Sequence, residues 1–221
     1  MLLGRIKIAL TALGISLTTP VFADEFQLSV YGGLFETGRS DVSGFDPSGV
    51  GAFDFNGGWS AGNSSIPPNF GIRGTWWTSD QTGYSLDFSR IQAKADDQTL
   101  SDSGFSVLEF DDGINTLTVS AVRRFPLGRR WTPYLGGGVG VAVPGVDIQS
   151  NPTGDRTTEY QYGGVVAQFQ GGVEVELNDN WSVFGEYQMN VMDLDVDLNG
   201  GGSLSTGIVT NSVSVGAGFS F

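Results

Sequence analysis

The chain has 221 residues, 34 of them glycine, roughly twice ordinary glycine usage, and it contains neither cysteine nor histidine, so one domain of moderate size is expected. The two missing residue types exclude Ser-His-Asp and Cys-His nucleophilic chemistry, thiolate or imidazole metal sites, iron–sulfur clusters and disulfide bracing. With 11 basic residues against 24 acidic ones, the formal charge is −13, and no nucleic-acid partner is expected.

Residues 1–23 read as a cleaved secretory signal peptide. Arg5 and Lys7 open it, Ile8 to Leu17 is mostly apolar, and Val21-Phe22-Ala23 suits a small-residue cleavage site. The apolar run is too short to span a bilayer as a helix, and the other reading, a buried N-terminal helix, fits poorly with its unpatterned composition. Cleavage removes two cations and no acid, so the domain predicted over residues 24–221 is more acidic still.

Beyond this point no long apolar pattern of period 3.6 occurs, whereas period-2 alternation recurs between clusters of Gly, Asn, Asp and Pro. The first strand, Glu25 to Phe35, sets Phe26, Leu28, Val30 and Leu34 against Gln27, Ser29 and Tyr31. The stretch from Glu36 to Pro68 is too long for an ordinary connection and reads either as a functional surface loop or as one containing a hairpin. A second strand covers Asn69 to Trp77, and residues 78–83 form a short turn. The third runs from Tyr84 to about Lys94, and an acidic connection follows, within which Phe105 to Phe110 can itself be extended.

The fourth strand is placed near Ile114 to Arg124 and the fifth at about Thr132 to Val143, joined through Phe125 to Trp131. In the sixth, Val165, Ala167, Phe169, Val173, Val175 and Leu177 oppose Gln168, Gln170, Glu174 and Glu176; Asn178-Asp179-Asn180 then makes a tight turn. The seventh alternates Trp181, Val183, Tyr187, Met189 and Val191 with polar residues, and the eighth ends as Val213, Val215, Ala217, Phe219 and Phe221. Short turns follow the even-numbered strands, and longer connections follow the odd-numbered ones. That asymmetry predicts an all-β fold: an eight-stranded antiparallel transmembrane β-barrel with short periplasmic turns and longer extracellular loops, in the outer membrane. A soluble β-sandwich is the alternative, and it does not explain the asymmetry.

A barrel this narrow leaves little room for a porin channel. Its lumen is expected to hold Arg73, Asp87, Glu174 and Glu186, either as a structural ion network or as part of a catalytic site. Gly136 to Gly140 lacks the spacing and the following helix of a dinucleotide fingerprint. Loop acids, among them Asp96, Asp97, Glu109, Asp111, Asp112, Asp193, Asp195 and Asp197, suit either a solvated anionic rim or divalent cations held against phosphorylated lipid. In the long first loop, Asp46 and Asp54 beside Trp59, with Ser64, Pro67 and Pro68, suit a carboxylate and an aromatic platform for a sugar, or simply loop packing.

The segment Thr132 to Gly140 and the terminal Phe219-Ser220-Phe221 resemble the small bacterial outer-membrane β-barrel superfamily, the latter looking like a signal for the barrel-assembly machinery. More narrowly, Asn69 to Trp77, Leu108 to Asn115, Val183 to Tyr187 and Gly200 to Leu204, in that order, resemble the lipid A oxidase group. That resemblance implies oxidation of the proximal glucosamine of lipid A to 2-aminogluconate with molecular oxygen. The implied partners are lipid A or lipopolysaccharide and outer-membrane lipids, around a monomer. On this reading Asp46 or Asp54 acts as the base, Glu109 and Asp111 orient substrate or cation, and Glu109, Asp111 and Asp112 are the metal candidates. Trp59 is the sugar platform, and Arg73 is a phosphate-facing or structural cation. No flavin or nicotinamide motif is present, so the cofactor expectation is a divalent metal cation, either a transition metal held mainly by oxygen ligands or one that only positions lipid phosphate. The alternative function is a non-enzymatic barrel that stabilises the envelope or binds lipopolysaccharide.

Overall fold

A computed structural model of the chain describes residues 25–60, 69–128, 130–151 and 154–221, without the side chains of Asp111 and Asp112. The predicted signal segment and Ser64, Pro67 and Pro68 lie outside the described residues. Alternation in the sequence becomes strands β1 (Glu25–Thr37), β2 (Ser40–Asp46), β3 (Gly51–Gly57), β4 (Trp59–Ser60), β5 (Asn69–Trp77) and β6 (Thr82–Ala95). A short helix, α1 (Asp97–Ser103), precedes β7 (Phe105–Arg124), β8 (Trp131–Ser150), β9 (Arg156–Tyr160), β10 (Gly164–Glu176), β11 (Trp181–Leu198) and β12 (Gly202–Ser220).

Eight of these close a ring in the order β1, β5, β6, β7, β8, β10, β11, β12, and an antiparallel pairing of β1 with β12, from Gln27↔Ser220 to Thr37↔Thr210, completes it. Closure satisfies the backbone without helices and leaves no edge in lipid. Residues 78–81, 125–130 and 177–180 make the short connections, which places that end in the periplasm. The long first connection contains a hairpin: β3 pairs with β2, and β2 adds to the outer part of β12. β4 and β9 add to the outer parts of β6 and β8. One expectation needs correction. The predicted long seventh connection is a tight turn over residues 199–201, because β11 and β12, the latter from Gly202, both continue beyond the membrane.

The phase of the alternation shows where the membrane ends. On β11 the outward residues Trp181, Val183, Tyr187, Met189 and Val191 form the lipid-facing row, opposite the buried Ser182, Glu186, Gln188 and Asn190. About ten steps of ~3.3 Å, tilted by about 40°, match the roughly 25 Å apolar band of such barrels. From Met192 the pattern inverts. Met192, Leu194, Val196 and Leu198 turn inward, and Asp193, Asp195 and Asp197 are exposed. β6 inverts in the same way between Phe88 and Ile91. Strands that meet lipid below and water above thus exchange their apolar face at the outer interface, where hydration of the outward side chains begins to matter. Paired rings, Phe26 with Trp76 at 4.9 Å, Trp181 with Phe219 at 5.0 Å and Phe219 with Phe221 at 4.9 Å, mark the periplasmic interface.

The interior has three levels. The outermost is an apolar core that includes Phe105, Leu108, Phe110, Ile148, Met192, Leu194 and Ile208, with Phe53 and Phe55 of the hairpin packed on it. In the middle lies a polar belt with Ser89, Thr116, Thr118, Gln168, Gln188, Asn190 and Thr210. Nearer the periplasm sits a charge network. Arg73 Nε donates to Asp87 at 2.6 Å, and Arg73 Nη1 and Nη2 donate to Glu186 at 2.7 and 2.8 Å. The Tyr31 hydroxyl donates to Asp87 at 2.7 Å and that of Tyr134 to Glu186 at 2.8 Å. Gly71 is required beneath Tyr31: a Cβ there would lie 2.3 Å from the phenol ring.

A buried charge that loses its partner costs several kcal/mol. Glu186→Ala is therefore expected to destabilise the folded barrel by about 3–5 kcal/mol, read from the urea midpoint in phospholipid micelles. A change below about 1 kcal/mol would show that the network does not hold the walls together.

Candidate functional site

Inward side chains crowd the lumen at all three levels and leave only a small cavity beside Arg73 and Glu174 among the described residues, so the extracellular end is the place for a site. Asp46 ends β2 at the tip of the hairpin. Its carboxylate accepts hydrogen bonds from the Ser48 amide at 2.9 Å, from the Ser48 hydroxyl at 2.8 Å and from the Ser150 hydroxyl at the end of β8. Burial acts to raise its pKa, but the bonds from Ser150, Ser48 and Gly49 outweigh that and hold the carboxyl below the usual carboxylate value. The Asp155 amide donates to Ser48 Oγ at 3.0 Å, so the tip is tied to the far rim of the barrel. Asp46 is thus a latch. An acid held ionised by neighbouring donors makes a weak general base, which corrects its predicted role.

Trp59 also differs from expectation. It is 8% exposed, its ring stacks on Phe110 at 5.6 Å, and its indole N–H donates to Ser40 Oγ at 2.7 Å, so no face is open to a sugar. Arg73 sits in the lumen network and is the structural cation of the two predicted options, not a substrate contact. Asp54 is exposed on β3, on the face opposite Phe53 and Phe55.

Glu109 lies elsewhere, on β7 just outside the membrane band. Lys94 of β6 is its cross-strand neighbour, and their charged groups are 2.9 Å apart. On its other side Glu109 pairs in register with Asp147 of β8, which receives Arg156 Nε and Nη2 at 2.7 and 2.6 Å. Lys94, Glu109, Asp147 and Arg156 therefore form a row across four strands. Sequence reasoning missed three of the four, because only strand register brings them together. Immediately below the row the ladder breaks: β6 shifts register between Ile91 and Ala93, and β7 between Glu109 and Ile114. Gly113, at φ 82°, permits the β7 bulge, and a Cβ there would meet Arg90 Cγ and Nε at 2.9 Å. The side chains of Asp111 and Asp112, which belong to this bulge, lie outside the described residues. The structure therefore brings Glu109 to the backbone of residues 111 and 112, while Asp46, Trp59 and Arg73 are used elsewhere.

Residues 9–221 match the family model described as outer membrane protein beta-barrel domain. The chain belongs to this family. It is an outer-membrane β-barrel, and its structure is similar to those of two others. Neisserial surface protein A is 13% identical with a TM-score of 0.50, over 89% of this chain and 97% of that one. The outer membrane protein AlkL, solved in lipid bilayers, is 15% identical with a TM-score of 0.52, over 92% and 93%. At such identities the likeness concerns the fold. No curated protein sequence matches this one.

The outer-membrane barrel carries its hairpin on the Asp46 latch, and the sign of its pH dependence follows. A carboxyl whose folded pKa is depressed stabilises the folded state above its unfolded value, near 3.9, and loses that contribution as the pH falls through the folded value. Hydrogen exchange across residues 40–57 should accelerate in Asp46→Ala at neutral pH and, in the wild type, only below about pH 4. Equal protection in variant and wild type at neutral pH would show that the tip is held by its phenylalanines alone.

Proposed function

We propose that this outer-membrane barrel acts on lipid A in the outer leaflet, oxidising the proximal glucosamine to a 2-aminogluconate unit with molecular oxygen. The observation that carries the reading is the β7 bulge. It falls within Leu108 to Asn115, one of the four segments resembling the lipid A oxidase group, and ring closure does not demand it. Bulges re-aim side chains and concentrate beside active sites. This one lies where the outward faces change from apolar to polar, the depth of a lipid A headgroup, beside a row of charges in which Lys94 is paired with Glu109 and Arg156 with Asp147. A filled lumen also argues against transport as the main role.

In the proposed reaction the anomeric carbon loses its hydrogen and the hydroxyl its proton. Two electrons and two protons pass to oxygen to give hydrogen peroxide, and water opens the resulting lactone to the acid, for a net gain of one oxygen atom. Glu109 and Asp111 are the carboxylates we place at this site, with Asp54 on the hairpin as a further candidate base. Insertion by the barrel-assembly machinery through the terminal Phe219-Ser220-Phe221, and action as a monomer, belong to the same proposal.

A second reading, a non-enzymatic barrel that binds lipopolysaccharide or stabilises the envelope, is favoured by one observation. The predicted acids are dispersed: Asp46 is latched and Glu109 is paired with Lys94. Mass spectrometry of lipid A from matched envelopes with and without the protein, with and without oxygen, separates the two. Oxidation predicts an oxygen-dependent gain of one oxygen atom on the proximal sugar, reduced at least ~100-fold by Asp111→Asn or Glu109→Gln. Unchanged lipid A beside correctly inserted protein would leave the binding reading in its place.

A further inference from the structure

Below the Arg73 network the barrel opens to the periplasm as a blind vestibule of about 610 Å³, within the range of small-molecule sites, about 300–1,000 Å³. Carboxylates reach it from four places in the chain: Glu25 of β1, Glu174 and Glu176 of β10, and Asp80 and Asp179 of two short turns. Arg124 is the cation among the lining residues, and it is already committed. Its Nη2 lies 2.9 Å from Glu25, and its Nε donates to the Asp80 carbonyl at 2.8 Å. Arg130 stands nearby, its carbonyl accepting from the Glu176 amide at 3.0 Å, but its guanidinium forms no ion pair. Among the described residues Asp80, Glu174, Glu176 and Asp179 join no ion pair either. A cleft lined by one sign of charge concentrates ligands of the other.

The floor of the vestibule adds an observation that charge alone does not supply. Glu174 lines both the vestibule and a cavity of about 20 Å³ behind it, room for about one water-sized group. Gln170 also lines that cavity and is only 4% exposed; Gly136, its partner on β8, leaves it room, because a Cβ there would lie 2.9 Å from Nε2. Neither the carbonyl oxygen nor the NH₂ group of Gln170 meets a protein partner. A buried amide in this state calls for a small polar group that donates to it. Arg73 lines the same cavity, but Asp87 and Glu186 outweigh its charge. A single metal ion does not match the acids, since among the described residues no three of them converge on one point. Glu174 and Glu176, two steps apart on one face of β10, stand about 7 Å apart along the strand, a spacing that ammonium groups on a short alkyl chain span.

We propose that the periplasmic vestibule is a binding site for one linear polyamine. A terminal ammonium seats at the floor, donating to the Glu174 carboxylate and to the Gln170 carbonyl oxygen, and the rest of the chain lies along Glu176 and Asp179 toward the periplasm. The site is at the opposite end of the barrel from the β7 bulge and independent of any reaction there.

The test is isothermal titration calorimetry of the full-length mature barrel in nanodiscs of phosphatidylcholine, a lipid without net charge, using spermidine, butylamine and Mg²⁺ at physiological salt. The wild type should bind one spermidine at least ~10-fold more tightly than butylamine or Mg²⁺, because linked ammonium groups engage separate carboxylates together. Glu174→Gln with Glu176→Gln should weaken spermidine at least ~10-fold, and Gln170→Leu, which keeps the bulk and removes the carbonyl, about tenfold, the loss expected of one charge-assisted hydrogen bond. Asp193→Asn with Asp197→Asn removes the same charge at the extracellular end and should behave as the wild type. A heat-dependent shift in gel mobility checks that each variant is folded. No binding of spermidine by the wild type, equal affinity for Mg²⁺, unchanged binding by Gln170→Leu, or an equal loss in the extracellular double variant would each overturn the proposal.

Discussion

A guanidinium inside a narrow barrel has to be neutralised where it stands, and Arg73 recruits four other strands to do so. Asp87 comes from β6, Glu186 from β11, and the hydroxyls of Tyr31 and Tyr134 from β1 and β8. Two carboxylates against one guanidinium leave an excess of negative charge, and the two phenols donate into it. The phenols reach that position because glycines lie beneath them, Gly71 under Tyr31 and Gly172 beside Tyr134. The abundance of glycine in the composition and the register of opposite walls are in this way parts of one electrostatic solution.

Much of this was legible in the sequence. Alternation placed Arg73, Asp87, Glu174 and Glu186 toward the lumen, and the structure buries Arg73, Asp87 and Glu186 in one network, with Glu174 accepting from Gln27 Nε2 at 2.5 Å. The transmembrane parts were readable because a single rule, apolar outward and polar inward, holds along each of them. Outside the membrane the rule reverses, and a pattern reader that expects one phase sees the reversal as loss of strand. That is why the outer part of β12 escapes assignment, and why Asp193, Asp195 and Asp197 count among the loop acids. They are the outward face of β11, continuing a row that lower down is Tyr187, Met189 and Val191.

The candidate site was less legible, for a different physical reason. Asp46 and Trp59 have the residue types of a sugar site, but residue type does not report environment. Two serine hydroxyls and two backbone amides turn the acid into an anchor, and Phe110 covers the indole. The row from Lys94 to Arg156 shows the converse: residues unremarkable in sequence become neighbours through the pairing of β6, β7, β8 and β9. Turn chemistry left one usable signal, Asp-Asp-Gly at 111–113, where the positive φ of Gly113 permits the bulge.

The inversion of phase also separates what the two halves of the molecule require. The lower half is held by closure in lipid and by the Arg73 network. The outer half has an apolar core of its own beneath a polar surface, as a water-soluble domain has, although the same strands run through both. Within the β7 bulge Phe110 and Ile114 belong to the apolar core and Gly113 to the backbone turn, whereas Glu109 points away from both the core and the Arg73 network. Glu109 is therefore the position there that carries no duty in the core, and such freedom is the condition under which a surface can acquire chemistry.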